Sequence, residues 1–154
     1  MSNTFHLKLV TPEKILFEGD VASLTLPTEA GEITVLPNHV PLVSSIASGA
    51  AAITLEKGFE EDIAISGGFL QIKEQNQVII LAEMAERASE LDLKTIEEAK
   101  ERAEHAMQDR IRTSDTEYAE TAAILNRELA RYKAVLKYRH RSGSHSSAPN
   151  PLAE

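Results

Sequence analysis

The chain has 154 residues, of which 42% are hydrophobic and only 5% aromatic, with neither cysteine nor tryptophan. That length suits one domain, or one compact domain with a small appendage, built on a core of Val, Ile, Leu and Ala. Disulfides, thiolate metal sites and cysteine nucleophiles are excluded, and a net charge of −8 argues against nucleic acid, whose phosphates require a basic footprint.

The opening MSNTFHLKLV has no basic n-region and no apolar h-region, so no secretory signal is expected there. No uninterrupted apolar run reaches membrane-spanning length. In residues 4–83, Phe5, Leu7 and Leu9 alternate with His6 and Lys8, the period of a strand with one buried face. Turn residues then recur at Thr11-Pro12-Glu13, Gly19-Asp20, Glu29-Ala30-Gly31, Pro37-Asn38, Ser48-Gly49, Lys57-Gly58, Gly67-Gly68 and Gln75-Asn76. Short strands punctuated in this way point to an antiparallel sandwich or barrel. Val78-Ile79-Ile80-Leu81 is apolar on both faces and reads as a central, covered strand.

After Ala85 the period changes. Leu93, Ile96, Ala99, Ala103, Met107 and Ile111 fall on one helix face, with Asp92 as a candidate N-cap. A second helix opens near Ser114, with Glu117 completing a capping box, and its stripe is Tyr118, Ala122, Leu125, Leu129, Tyr132 and Leu136. The short Arg112-Thr113-Ser114 link predicts an antiparallel hairpin. From Ser142 the segment SGSHSSAPNPLAE is small, polar and Pro-bearing, and reads as a disordered tail. The fold class is thus α+β: a β-sandwich over 1–86, an α-helical hairpin over 87–141 and a tail over 142–154.

The hairpin's apolar face is thin. Burying a large aliphatic side chain contributes roughly 1.5–3 kcal/mol, Ala much less, whereas ordering each residue costs about 1–2 kcal/mol. The helices therefore need a surface to dock on, either the sandwich or another subunit. A hairpin fixed on the sandwich and one that switches between two surfaces both fit this pattern. Charge is also unevenly spread. Residues 1–90 hold five Lys/Arg against thirteen Asp/Glu, residues 91–126 five against nine, and residues 127–154 six against two. A basic helical end on an acidic body points to an acidic partner, or to a solvated face whose cations suit the helix C-terminus.

Catalytic signals are lacking. Ser66-Gly67-Gly68-Phe69 leads into a strand without the lysine of a phosphate loop, and there is no H-E-x-x-H pair and no EF-hand. His140 and His145 stand in or beside the polar tail and are not read as a metal pair. His39, in a Pro-flanked turn, has no neighbouring acid or nucleophile and reads as structural or interfacial. Glu60-Glu61-Asp62 reads as a solvated turn. In Gly31-Glu32-Ile33-Thr34-Val35-Leu36-Pro37-Asn38-His39-Val40-Pro41-Leu42-Val43, a strand leads into a rigid turn. Pro37 and Pro41 fix φ there, and Asn38 tolerates positive φ. Glu32, Asn38 and His39 on this rim suit contact with a partner, and a plain structural turn would also explain them.

The run GEITVLPNHVPLV resembles the G-E-x-G-[IV]-L-P-G-H-x-P-L segment of ATP synthase epsilon subunits. Ala64-Ile65-Ser66-Gly67-Gly68-Phe69-Leu70-Gln71-Ile72 resembles a second family stretch, and Val78–Glu83 running into Ala85-Glu86-Arg87-Ala88 looks like its last strand and linker. Leu9-Val10-Thr11-Pro12-Glu13 and the alanine-rich hairpin fit as well, so the resemblance covers residues 4–138. It implies a non-catalytic rotor subunit of a proton-translocating F-type ATP synthase, peripheral on the cytoplasmic face of a bacterial membrane and attached only through the complex. The implied partners are the gamma subunit, the c-ring (through Glu32, Asn38 and His39) and the α/β catalytic subunits. An extended hairpin would meet the β subunits through Arg127, Arg131, Lys133 and Lys137 and block ATP hydrolysis. Two departures stand out. Thr34 and Asn38 replace family glycines, and a left-handed backbone would be costly at Thr34. In the family's [IL]-D-x-x-R-A nucleotide motif, Leu91-Asp92 match and Arg127 and Arg131 fall at suitable places, but Thr95 and Ile96 replace the arginine and alanine. Loss of that guanidinium predicts weak or absent ATP binding, and no cofactor is expected. A rival reading is a free-standing β-sandwich binding module with a self-associating hairpin; an enzyme is a third, for which no polar cluster is visible.

Overall fold

Alternating apolar residues set the first strand, β1 (Phe5–Val10), in which Phe5, Leu7 and Leu9 are buried. The computed structural model describes residues 3–110 and 115–146. After β1 come β2 (Ile15–Thr28), β3 (Gly31–Val35), β4 (Leu42–Ser45), β5 (Gly49–Leu55), β6 (Glu60–Lys73) and β7 (Gln77–Arg87). A 3₁₀ turn (Ala88–Glu90) then leads into α1 (Leu93–Arg110) and α2 (Asp115–Ser146).

The strands pair in the order β1–β7–β6–β5–β2–β3, with β4 on β6 and a further pairing of β1 with β2. Strands β1, β7, β6, β5 and β2 therefore close into a ring, flattened into a sandwich. The pairs are antiparallel except β1–β7, which is parallel. The sequence pattern predicts antiparallel pairing throughout, but a closed ring with an odd number of strands cannot alternate direction all the way round.

Two of the predicted turns lie inside long strands. Gly19-Asp20 continues β2, and Gly67-Gly68 kinks β6 without ending it. Gly68 has φ +113°, and a Cβ there would lie 1.9 Å from the Leu81 carbonyl oxygen, so only glycine fits. Core-facing positions change parity across this kink. Ile63 and Ile65 point inward before it, Leu70 and Ile72 after it, and on β7 the inward set passes from Val78, Ile80 and Ala82 to Ala85. β7 is central, as predicted, but its outer face is open rather than covered: Ile79 is half-buried and Leu81 exposed.

On α1, Ile96 and Ala103 are buried and Leu93, Ala99 and Met107 half-buried, as the helical period predicts. Asp92 precedes the first turn, accepts a hydrogen bond from Thr95 Oγ1 (2.8 Å), and has its carboxyl held below the usual range chiefly by that bond. Lys100 of α1 lies 4.4 Å over the Tyr132 ring of α2. Residues 91–97 flank Val135, Tyr138 and Arg139, so the helices run antiparallel. Ile111, the Arg112-Thr113-Ser114 link and the capping box at Ser114 lie outside the described residues. The predicted stripe of α2 is shifted: Tyr118 and Leu136 are exposed, and the buried positions are Thr121, Ala130, Ala134 and Val135. α2 continues to Ser146, past the predicted end at 141. No proline stands between Asp115 and Pro149, and a lone Gly143 costs a helix only about 1 kcal/mol. The remainder of the expected tail, 147–154, lies outside the described residues.

Candidate functional site

α2 lies on the sandwich where small side chains make room for it. Ala50 and Ala64 face each other across β5 and β6, and with Ala88 and Ala134 they form a buried cluster against which Leu91 packs. Alanines allow close approach but bury little apolar area, so docking needs more than this contact.

The rest is ionic. Arg131 donates to Glu86 on β7 from Nε (3.0 Å) and from a terminal nitrogen (2.8 Å), and its other terminal nitrogen reaches Glu128 at 2.5 Å. The Glu86 hydrogen bonds hold the Arg131 guanidinium more firmly protonated than usual. Lys137 stands 4.0 Å from Glu32 on β3, both well exposed. Arg141 bridges two acids of β6, Glu60 at 2.5 Å and Asp62 at 2.9 Å. Asp62 belongs to the run predicted to be a solvated turn. Instead it sits on β6 facing α2, its side chain 0% exposed. Burial pushes its carboxyl up and the Arg141 charge opposes that. Among the described residues, Asp62 Oδ1 is buried without a hydrogen-bond partner.

Of the four cations predicted to meet an acidic partner, then, Arg131 and Lys137 meet acids of this chain's own sandwich. Arg127 and Lys133 are exposed, with no ion pair among the described residues. Sequence reasoning missed Arg141 and Asp62. The signal was present in the acidic run itself, where alternate residues of one strand, Glu60 and Asp62, share a face.

At the rim, Asn38 takes φ +65° as predicted. Its backbone N–H donates to Asn76 Oδ1 (2.5 Å) and Asn76 Nδ2 donates to Asn38 Oδ1 (3.1 Å), tying the loop to the β6–β7 turn. The His39 N–H closes a tight turn on the Leu36 carbonyl at 3.2 Å. Thr34 does not adopt the costly conformation; it is extended in β3, opposite Thr25, with the two hydroxyls 2.9 Å apart. Leu36 and Val40 project into solvent on either side of Asn38 and His39. Glu32 is set apart from them, since the residues from Glu32 to Val35 span about 10 Å of extended strand. A second exposed apolar surface lies beyond the β6 kink. There Phe69 faces Leu81 across β6–β7, both more than half exposed, and Val43 of β4 stands beside Gln71, one position along the same outer face of β6.

The nucleotide candidates are not gathered into one cleft. Arg127 and Arg131 line a cleft of about 450 Å³ that also holds Glu13, Glu83, Glu86 and Glu90. Asp92 borders a different one, with Lys94, Val135 and Arg139. Among the described residues, no group of three or more His, Asp or Glu side chains is placed to hold a metal ion.

Residues 4–88 match the family model described as the ATP synthase Delta/Epsilon chain beta-sandwich domain. An ATP synthase epsilon chain of Moorella thermoacetica is 38% identical over 132 residues, covering 86% of this chain and 96% of that relative. The chain belongs to the ATP synthase epsilon family. Epsilon chains of Nitrosococcus oceani (34% identical, 93% of this chain and 100% of the relative) and Dichelobacter nodosus (43%, over 68% and 72%) agree. The fold is that of a chain in the Euglena gracilis mitochondrial ATP synthase, with a TM-score of 0.73, 23% identity, and coverage of 91% of this chain and 83% of that one. As an epsilon chain it is a non-catalytic subunit of the ATP synthase central stalk.

Proposed function

We propose that this subunit couples gamma to the c-ring during proton-driven ATP synthesis and restrains ATP hydrolysis through its C-terminal helices. The observation that carries the inhibitory half is the ionic docking of α2. Arg131, Lys137 and Arg141 are matched by Glu86, Glu32, Glu60 and Asp62 of the sandwich. A helix released from those acids presents its cations, with the already exposed Arg127 and Lys133, to an acidic surface of the catalytic β subunits. Release exchanges one set of ion pairs for another, so the two positions can compete. The coupling half rests on two exposed apolar surfaces. The outer face carrying Val43, Phe69 and Leu81 suits gamma, and the Leu36–Val40 loop with Asn38 and His39 suits the c-ring. The subunit sits on the cytoplasmic face of a bacterial membrane and is held there through the complex. No described helix is long and apolar enough to cross one.

The deciding experiment adds either the full chain or a version ending at Ala88 to an epsilon-depleted catalytic core and follows ATP hydrolysis. Both should bind, and only the full chain should slow turnover. Equal rates with both bound would overturn the inhibitory half and leave a purely coupling subunit with a structural hairpin.

A further inference from the structure

The least accommodated charge in the docked layer is Asp62. Its side chain is fully enclosed, Oδ1 has no hydrogen-bond partner among the described residues, and Oδ2 accepts a hydrogen bond from Arg141, a residue near the end of α2. A lone ionised carboxylate in such a place is strongly disfavoured unless it is paired or neutralised.

We infer that Asp62 is a charge sensor beneath the helical layer: the hairpin stays on the sandwich only while Asp62 is matched by Arg141 or neutralised by a proton. The inference rests on the reading of the hairpin as movable and names the contact that governs it. Asp62 occupies the same helix-facing side of β6 as Ala64, so docking encloses it and release returns it to water. On β6, Glu60 adds a like charge, while Glu61, half-buried, pairs with Arg87 of β7. On α2, Arg141 and Lys137 supply positive charge, and the exposed His140 lies next to Arg141 along the helix. Tyr138, with Leu55, Phe59 and Ser89, borders the same cleft of about 300 Å³. β5 contributes no ionisable group opposite, since Ala52 is the cross-strand partner of Asp62.

The direction in pH follows. Burial raises the docked carboxyl above its ordinary 3.8 even with Arg141 in place, so docking takes up a proton. The Asp62 contribution to docking is complete below about 3.8 and is lost as pH rises through the raised docked value. Through Asp62, acid favours the closed layer as long as the paired glutamates stay ionised, and alkali loosens it. Removing Arg141 removes the main opposing charge, which raises the docked value further and moves the transition to higher pH.

The chain has no cysteine, so dyes on Lys57→Cys and Asn126→Cys report helix–sandwich separation by single-molecule energy transfer in the full-length protein. At about pH 8, Arg141→Ala should lower the docked-to-released ratio roughly tenfold or more, and stepwise acidification should restore part of it. Asp62→Asn, of matched shape and uncharged, should abolish that pH response and rescue docking in the Arg141→Ala background. An Arg141→Ala chain as docked as the parent at every pH, or a pH response unchanged by Asp62→Asn, would overturn the sensor. Ala134→Leu, which crowds the alanine contact, separates the two layers of the argument. If it releases the hairpin while Arg141→Ala does not, the sensor alone fails; if neither releases it, the movable hairpin fails as well.

Discussion

The sandwich and the helical layer are held by different physics. The sandwich interior is filled by fully buried Leu7, Leu9, Leu24, Leu26, Ile53, Ile63, Ile65, Leu70 and Ile80, each worth roughly 1.5–3 kcal/mol. The contact between α2 and the sheet has Ala50, Ala64, Ala88 and Ala134 at its centre, with ion pairs around it. Hydrophobic packing is strong and is not screened by salt; a small-residue contact rimmed by charges is weak, and it is weakened by salt and sensitive to pH. A stalk subunit built in this way has a permanent part and a detachable part within one chain.

The largest effect should come from the permanent part. Ile65→Ala leaves a cavity between fully buried neighbours and should cost about 2–5 kcal/mol in urea unfolding of the sandwich, with the helices lost no later than the surface they dock on. Loss of the sandwich while the helices stay folded would break the comparison. Ala134→Leu should act the other way round. Overpacking the alanine floor costs about 1–3 kcal/mol, taken from docking rather than from the sandwich. Hydrogen exchange should quicken in α1 and α2 and stay slow in Leu7, Leu9 and Ile80. Smaller still is Glu86→Gln. It removes the carboxylate that receives two Arg131 hydrogen bonds, and because both partners are partly open to solvent the loss should be about 1 kcal/mol. Docking in that variant should be less salt-dependent than in the parent; an unchanged salt response would show that this pair contributes nothing to holding the layer.

The same division explains what was legible in the sequence. Alternation in Phe5-His6-Leu7-Lys8-Leu9 betrays a strand because one face is buried, and the three-and-four spacing from Leu93 to Met107 betrays α1 for the same reason. From sequence, the kink at Gly67-Gly68 reads only as punctuation. That β6 passes through it and changes its inward parity depends on how close the Leu81 carbonyl comes, which is a tertiary fact. The shifted face of α2 follows from its double duty. It packs on α1 and on the sheet at once, so alanines and arginines, not the larger apolar residues, take the sheet side. Asp62 stayed hidden because an acidic triplet is usually solvated, and only the docked helix encloses it. At the rim, Asn38 was legible from its tolerance of positive φ, whereas its tie to Asn76 joins residues 38 positions apart and leaves no local trace.

The smallest expected effect concerns nucleotide. A docked helix holds ATP only if its cations converge on the phosphates, and here they do not. Arg131 is already engaged by Glu86 and Glu128. The cleft it shares with Arg127 contains four glutamates, whose charge repels a triphosphate at ordinary ionic strength. Asp92 serves the first turn of α1 through Thr95, the residue standing where the family motif has arginine. Millimolar ATP with magnesium should therefore leave the amide NMR shifts of residues 83–96 and 124–134 unchanged. Saturable shifts at micromolar ATP would mean that the glutamates had been displaced from Arg131. The helical layer would then be held by a ligand as well as by its own acids, and the contrast between the two layers would have to be redrawn.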